Sequence, residues 1–382
     1  MNLILHAPDE VCNLPESYRR ALSSAKELLI VSAYLTNWDK SVELNPGCER
    51  FRMIVGKDFG ITRKAACGAV LVWIPPQHKV HFRVADQISG FHPKAVFWQE
   101  PDGNSYAIVG SSNLSIAAFE SNYEANVAIP ISSEDFDRAR TWVDKIAALS
   151  VPISEDWLKN YRESAAQGGG GNRANQKVGT PEVLPIKLPR PRGSASDVRV
   201  RREALKEYRR NRKGLIRHFR ACAAGEVSPA DFYAELPEHW SVEVGSRLQG
   251  KGWERRGSGS DFRKLAQSYV RILNASPSKR DDVVVAEIDQ LARDRIPTRK
   301  AFLSEMLCLE FPDRYPVLNQ PVLLYLSDLK FRGARGMSEG AKYLDLALRL
   351  RLSLAQNPNH PAKNLAELDT VICRAYPPPP RN

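Results

Sequence analysis

The chain is 382 residues long, more than one hydrophobic core usually organises, and its ordinary apolar content leaves material for two. Its 55 Lys and Arg against 44 Asp and Glu give a formal net charge of +11, which points to a polyanionic partner, nucleic acid first and an anionic membrane surface second. No run of eighteen apolar residues occurs, and the N-terminal MNLILHAPDE lacks the basic region and long apolar stretch of a secretory leader, so a cytoplasmic chain that does not enter a membrane is expected.

The first 163 residues alternate short apolar runs with turns and helical patterns. After a helical LPESYRRALSSA come ELLIVSAYL (27–35), FRMIVG (51–56), AVLVWI (69–74), VHFRV (80–84), KAVFW (94–98), SYAIVGSS (105–112) and YEANVAI (123–129). All are rich in Val, Ile, Phe, Trp and Tyr, and each reads as a strand. EDFDRARTWVDKIAAL (134–149) has helical periodicity, with Ser132 or Ser133 as the cap. Strands interspersed with helices indicate an α/β domain over residues 1–163. Tyr34 and Thr36, just after the first apolar run, read as packing or turn residues rather than as cleft lining.

Composition changes at residues 164–197, where Gly, Pro, Ser and small polar residues predict a flexible linker. A basic stretch follows. Between Lys187 and Arg220 there are thirteen Lys and Arg against Asp197, Glu203 and Glu207. Leu205, Tyr208, Leu215, Phe219 and Cys222 recur at helical spacing within it, so it reads as a basic helix with an apolar stripe. Its cations suit phosphate contact; the plainer alternative is a solvated helix face.

Helical periodicity then continues over a basic domain spanning 198–382. SDFRKLAQSYVRIL (260–273) is capped by Ser260, and Asn319 is a second candidate cap. RLQGKGWERRGSGSDFRK (247–264) is basic and glycine-rich; it could meet a phosphate, with Trp253 stacking on a base, or be an ordinary loop. The six cysteines, Cys12, Cys48, Cys67, Cys222, Cys308 and Cys373, are scattered and lack zinc-ligand spacing, so reduced, mostly buried thiols are expected.

One segment carries chemistry. In FHPKAVFWQEPDGNSYAIVGSSNLSIAAFESNYE (91–124), His92 and Lys94 sit two apart at the start of a strand, which puts both on one face. The next strand ends in GSSNLS, where Ser111, Ser112 and Asn113 offer donors, and Glu124 opens a third strand within reach of the His92 ring. A histidine nucleophile, a carboxylate and clustered donors are what phosphodiester hydrolysis through a phosphohistidine needs. The order HxK, GSxN, NxE resembles the phospholipase D superfamily, and within it the single-HxK branch of metal-independent restriction-endonuclease-like nucleases.

The resemblance covers roughly residues 1–150. It implies an α/β phospholipase-D-like N-terminal domain; the helical periodicity and basic composition beyond it predict an all-α C-terminal domain that binds nucleic acid or a partner. The resemblance makes His92 the nucleophile, has Lys94 and Asn113 hold the phosphate oxygens with help from Ser111, and has Glu124 orient His92. It implies no metal and no cofactor. Gln99 departs from the pattern, which has Asp there. A lone HxK leaves the site short of a second histidine, so a homodimer sharing the active site is expected. DNA is expected ahead of RNA as substrate, bacterial restriction or phage defence as the setting, and an ATPase or helicase is a candidate partner. The alternatives are a lipid phosphodiesterase of the same superfamily and a non-catalytic nucleic-acid-binding protein.

Overall fold

The computed structural model describes residues 2–8, 13–164, 186–241, 248 and 257–377. Cys12, the centre of the expected linker, most of the glycine-rich segment with Trp253, and the PPPPRN tail beyond Pro377 lie outside these residues. The chain divides into two compact units, Met1–Leu184 with Arg332–Met337, and Pro185–Phe331 with Ser338–Asn382.

The first unit is built on an eight-stranded mixed sheet. Its strands are β1 (Asn2–His6), β2 (Glu27–Ser32), β3 (Arg50–Val55), β4 (Phe82–Val84), β5 (Lys94–Gln99), β6 (Ser105–Gly110), β7 (Glu124–Ile131) and β8 (Val151–Pro152), in the order β1-β7-β6-β5-β2-β3-β4-β8. Strands β2, β3 and β4 are parallel; the other pairings are antiparallel. Every residue of β2 and β3 is buried, as in strands covered on both faces. Helix α4 (Ser133–Ala148) covers one face, packing Phe136, Val143 and Ala147 against Leu29, Val31, Ile54 and Ala95. Its cap is Ser132, whose side chain accepts from the Asp135 N–H. The remaining helices here are α1 (Leu14–Ser24), α2 (Lys64–Trp73), α3 (Ile116–Glu120) and α5 (Glu155–Asn160).

Three sequence expectations change in this unit. AVLVWI is not a strand: it is the end of α2, which buries Ala66, Cys67, Val70 and Leu71 and leaves Val72 exposed. A short apolar run has no period that separates strand from buried helix, so tertiary packing decides. VHFRV is a strand only over Phe82–Val84, after a 3-10 turn at Lys79–His81. NLILH, given no element from sequence, is the edge strand β1, with Ile4 and His6 turned inward.

The described elements of the second unit are all helical: α6 (Ser194–Ala224), α7 (Pro229–His239), α8 (Phe262–Asn274), α9 (Arg280–Arg293), α10 (Ala301–Glu310), α11 (Gln320–Asp328), α12 (Glu339–Ala355) and α13 (Leu365–Ala375). Val198, Val322, Tyr325, Leu346, Leu350, Leu368 and Ile372 are part of one of its cores. Asn319 caps α11, accepting from the Val322 N–H. Helix α8 is capped by Asp261 and not by Ser260, whose hydroxyl instead bonds Thr298 Oγ1 at 2.7 Å. Aspartate is as good a cap as serine, and the helix starts one residue later.

Residues 186–193 were expected to be linker. They lie on the helical unit instead: Ile186 is in its core, Tyr325 donates to the Lys187 carbonyl at 2.8 Å, and the His360 ring meets the Pro189 carbonyl at 3.0 Å. Helix α6 begins at Ser194, inside the range assigned to the linker. The described cysteines are free, and four of the five are buried.

Candidate active site

Strand direction gathers the candidate residues at one edge of the first unit's sheet. Parallel β2 and β3 end there at Ser32 and Val55, antiparallel β5 starts there at Lys94, β6 ends there at Gly110, and β7 starts there at Glu124. The register aligns Ser32 with Lys94 and Gly110 with Asn126. Gly110 is required: a Cβ would lie 2.2 Å from Asn126 Oδ1 and 2.4 Å from the Ala125 carbonyl oxygen.

His92 stands two residues before Lys94 in a segment held at both sides. Phe91 is buried against Gly56, and the Gly90 N–H donates to Asp58 Oδ2 at 2.9 Å. Gly90 has a φ of +70°, which lets the chain turn, and Pro93 biases His92 to extended backbone. His92 is exposed, and Lys94 Nζ is 3.1 Å from its Nδ1, 3.5 Å from its Nε2 and 3.3 Å from its carbonyl oxygen. The ammonium can therefore donate to an unprotonated ring nitrogen. Burial pushes the Lys94 ammonium below the ordinary lysine value, and the charge of Glu124 pulls the other way.

Asn113 is aimed by the neighbouring loop. Its Oδ1 accepts from the Tyr34 N–H at 3.2 Å, which leaves its NH2 group as a donor. The loops after β2 and β6 are further tied by Ser32 Oγ, which accepts from the Leu114 N–H at 3.2 Å and donates to the Tyr34 carbonyl at 2.7 Å. The Thr36 N–H donates to the Leu114 carbonyl at 2.9 Å. Tyr34 was expected to be a packing residue. Its ring in fact lies edge-on to the His92 ring, with centroids 5.8 Å apart. Burial raises its phenol pKa and nearby Asp58 adds to the rise, so the phenol stays protonated.

Glu124 and Ser111 depart from the roles the resemblance implies. Glu124 is buried, and its carboxylate accepts from Ser111 Oγ and from Asn122 Nδ2, the latter at 3.0 Å. Among the described residues neither oxygen bonds the His92 ring of the same chain. The Ser111 hydroxyl also accepts the Ala125 N–H at 3.0 Å, so it is occupied in holding Glu124 and not free to hold a phosphate. The Ser111 N–H donates to the Ala125 carbonyl at 3.1 Å, which sets its hydroxyl beside the neighbouring Glu124. Asn126, overlooked in the sequence, pairs with Ser112: its Nδ2 donates to Ser112 Oγ at 2.9 Å, and its Oδ1 accepts from the Ser112 N–H at 3.4 Å. Its position two residues after Glu124 on one strand was the available signal. His6 lies opposite Glu124 in the β1–β7 register and is also buried, a relation no local pattern discloses.

Gln99 sits at the far end of β5, roughly 17 Å along the strand from Lys94 at about 3.3 Å per residue. Its amide donates to Ser105 Oγ at 3.1 Å, so the departure from Asp lies at the opposite sheet edge from His92. A cleft of about 290 Å³ opens beside the Asn113 loop, walled by Tyr18, Trp38, Leu114, Ser115 and Phe119 among others. Among the described residues, no group of three or more His, Cys, Asp or Glu side chains is arranged to hold a metal ion.

Comparison with protein-family models gives no match. Comparison with curated proteins gives none either. Among solved structures, NucT from Helicobacter pylori matches at 16% identity, over 40% of this chain and 99% of that chain, with a TM-score of 0.29, a superposition too loose to establish a common fold.

Proposed function

We propose that this protein is a metal-independent nuclease of the phospholipase D type, hydrolysing nucleic-acid phosphodiester bonds through a phosphohistidine on His92. The observation that carries the reading is the His92–Lys94 pair at the sheet edge, 3.1 Å apart, with Asn113 following the strand end beside it, its Oδ1 held by the Tyr34 N–H. In the reaction, a ring nitrogen of His92 attacks phosphorus, and the bond to the leaving oxygen breaks as that oxygen takes up a proton. Water then attacks the phosphohistidine, releasing a phosphate monoester and the free ring. Lys94 and the Asn113 amide stabilise the negative charge on the non-bridging oxygens.

Two protonation roles need two histidines, and the sequence has one HxK. The proposal therefore includes a homodimer that pairs two copies of the site about a two-fold axis. Glu124, bonded to Ser111 and Asn122 and not to its own His92, is in this reading the carboxylate that a ring approaching from the second copy would meet. DNA is the preferred substrate, and the cellular setting proposed is bacterial restriction or phage defence, with an ATPase or helicase as a candidate partner.

Plasmid nicking in EDTA tests the reading. The expected outcome is nicking by the wild type and none by His92→Ala. Release of a lipid headgroup without DNA cleavage would replace it with the lipid phosphodiesterase alternative, and binding without any cleavage with the non-catalytic one. A strict monomer of full activity in light scattering would remove the shared site.

A further inference from the structure

Helix α6 spans Ser194–Ala224, and nine of its residues, including Val198, Leu205, Tyr208, Leu215, Phe219 and Cys222, are buried in the helical unit. Its cations divide into two sets, apart from Arg210, which is exposed just beside the outward stripe and ion-paired to Glu207. Those turned inward or sideways are consumed at home: Arg201 is buried with Nη1 2.9 Å from Asp369 Oδ2, and Arg212 is paired with Glu310. The outward set is Arg199, Arg202, Lys206, Arg209, Lys213, Arg217 and Arg220, all exposed. At about 100° per residue these seven fall within an arc of about 80°, as a stripe about 30 Å long at 1.5 Å per residue. No acid of the helix falls in that arc. Only Arg202 and Lys206 have ion-pair partners, Glu367 and Glu203, among the described residues.

We propose that this face of α6 binds the phosphate backbone of a nucleic-acid duplex without reading its sequence. The inference rests on the nucleic-acid part of the proposed function and names the surface that supplies it. A dense stripe of one sign repels itself and is best relieved by a polyanion of matching length; about 30 Å is close to one turn of duplex. The arc contains no aromatic residue, so it lacks the stacking platform that single strands use. A membrane surface fits less well. A helix that lies in a bilayer inserts its apolar face, and the apolar face of α6 is already in the protein core.

The test uses the full chain carrying His92→Ala, so that binding is read without cleavage, and a 30-base-pair DNA duplex over a series of salt concentrations. In the stripe variant Arg209→Gln, Lys213→Gln, Arg217→Gln and Arg220→Gln are combined. A control removes the same charge elsewhere: Arg138→Gln, Lys159→Gln, Arg293→Gln and Lys330→Gln. The stripe variant is expected to flatten the slope of log affinity against log salt by about 3.6, four contacts at about 0.9 each. The control should keep the parental slope.

Equal slopes in parent and stripe variant would overturn the proposal. Equal losses in stripe variant and control would also overturn it, leaving net charge as the cause. Loss of binding to vesicles one-third phosphatidylserine, with the duplex slope unchanged, would assign the face to membranes instead. Circular dichroism checks folding; should the fourfold variant not fold, Arg217→Gln with Arg220→Gln is expected to lose about 2 in slope, and no loss overturns the proposal. Failure of the phosphodiesterase reading would appear as absent nicking by the wild type and leave this binding result untouched.

Discussion

The sheet edge of the first unit and the outward face of α6 handle charge in opposite ways. At the sheet edge the candidate groups are few, and each is held: Lys94 against His92, Glu124 between Ser111 and Asn122, and the neutral Asn113 amide oxygen on the Tyr34 N–H. On α6 the outward charges are many, and five of seven have no partner among the described residues. Held groups define a geometry, which chemistry at one atom requires. Free groups define a potential, which tolerates displacement and does not select sequence. The contrast separates where a phosphate would be cut from where a backbone would be gripped.

Substitutions can break that separation, and the largest effect is expected at His92. His92→Ala should abolish nicking, a loss of at least about a thousandfold, while leaving duplex affinity within about twofold; a loss of affinity as large as that of activity would merge the two regions. Lys94→Ala and Asn113→Ala should each cost about 10²–10³ in rate, the usual effect of removing one donor from a developing anion. Single-turnover rates read this directly, and a change confined to affinity would move these residues to substrate binding.

Within the helical unit the contrast repeats as stability. Arg201 donates to Asp369 at 2.9 Å, to the Ala366 carbonyl at 3.2 Å and to the Leu248 carbonyl at 3.1 Å. Arg201→Ala would strand a buried carboxylate and should cost about 3–5 kcal/mol in chemical denaturation. Arg209→Ala on the free face should cost no more than about 0.5 kcal/mol.

Smaller effects sharpen the picture of the sheet edge. Ser111→Ala removes a hydrogen bond to Glu124 and should slow nicking about tenfold, an effect of about one charge-assisted hydrogen bond; Ser111→Thr, which keeps the hydroxyl, should restore most of it. Lys94 must be charged to hold a phosphate, and burial lowers its pKa from 10.5. The alkaline limb of activity should therefore fall below 10.5, and Lys94→Arg, always protonated, should move that limb upward in whatever activity it keeps. The same burial costs stability while the ammonium is charged. That cost is present at neutral pH and is relieved between the folded-state pKa and 10.5.

Much of the fold was legible because it is written in local periods. The strands of 27–32, 50–55, 94–99, 105–110 and 124–131 and the helices after 260 follow from apolar spacing and caps. AVLVWI was misread because a run apolar throughout has no period to read. In the site, the order of His92, Lys94, Asn113 and Glu124 was visible, as was the proximity of His92 to Lys94. The contact of Tyr34 with His92, joining loops 58 residues apart, was not.

What the sequence determined by itself is the residue inventory: one histidine–lysine pair at a strand start, donors at the next strand end, a carboxylate at the third, and a basic amphipathic helix after a change in composition. Tertiary structure alone decided how those groups are shared out. It assigned Ser111 to Glu124 and the Asn113 carbonyl to Tyr34. It also sent Arg201 and Arg212 into ion pairs while leaving Arg209, Lys213, Arg217 and Arg220 outside. Side-chain direction follows from the period of a strand or helix and is therefore local, whereas a hydrogen-bond partner comes from whatever distant element packs alongside.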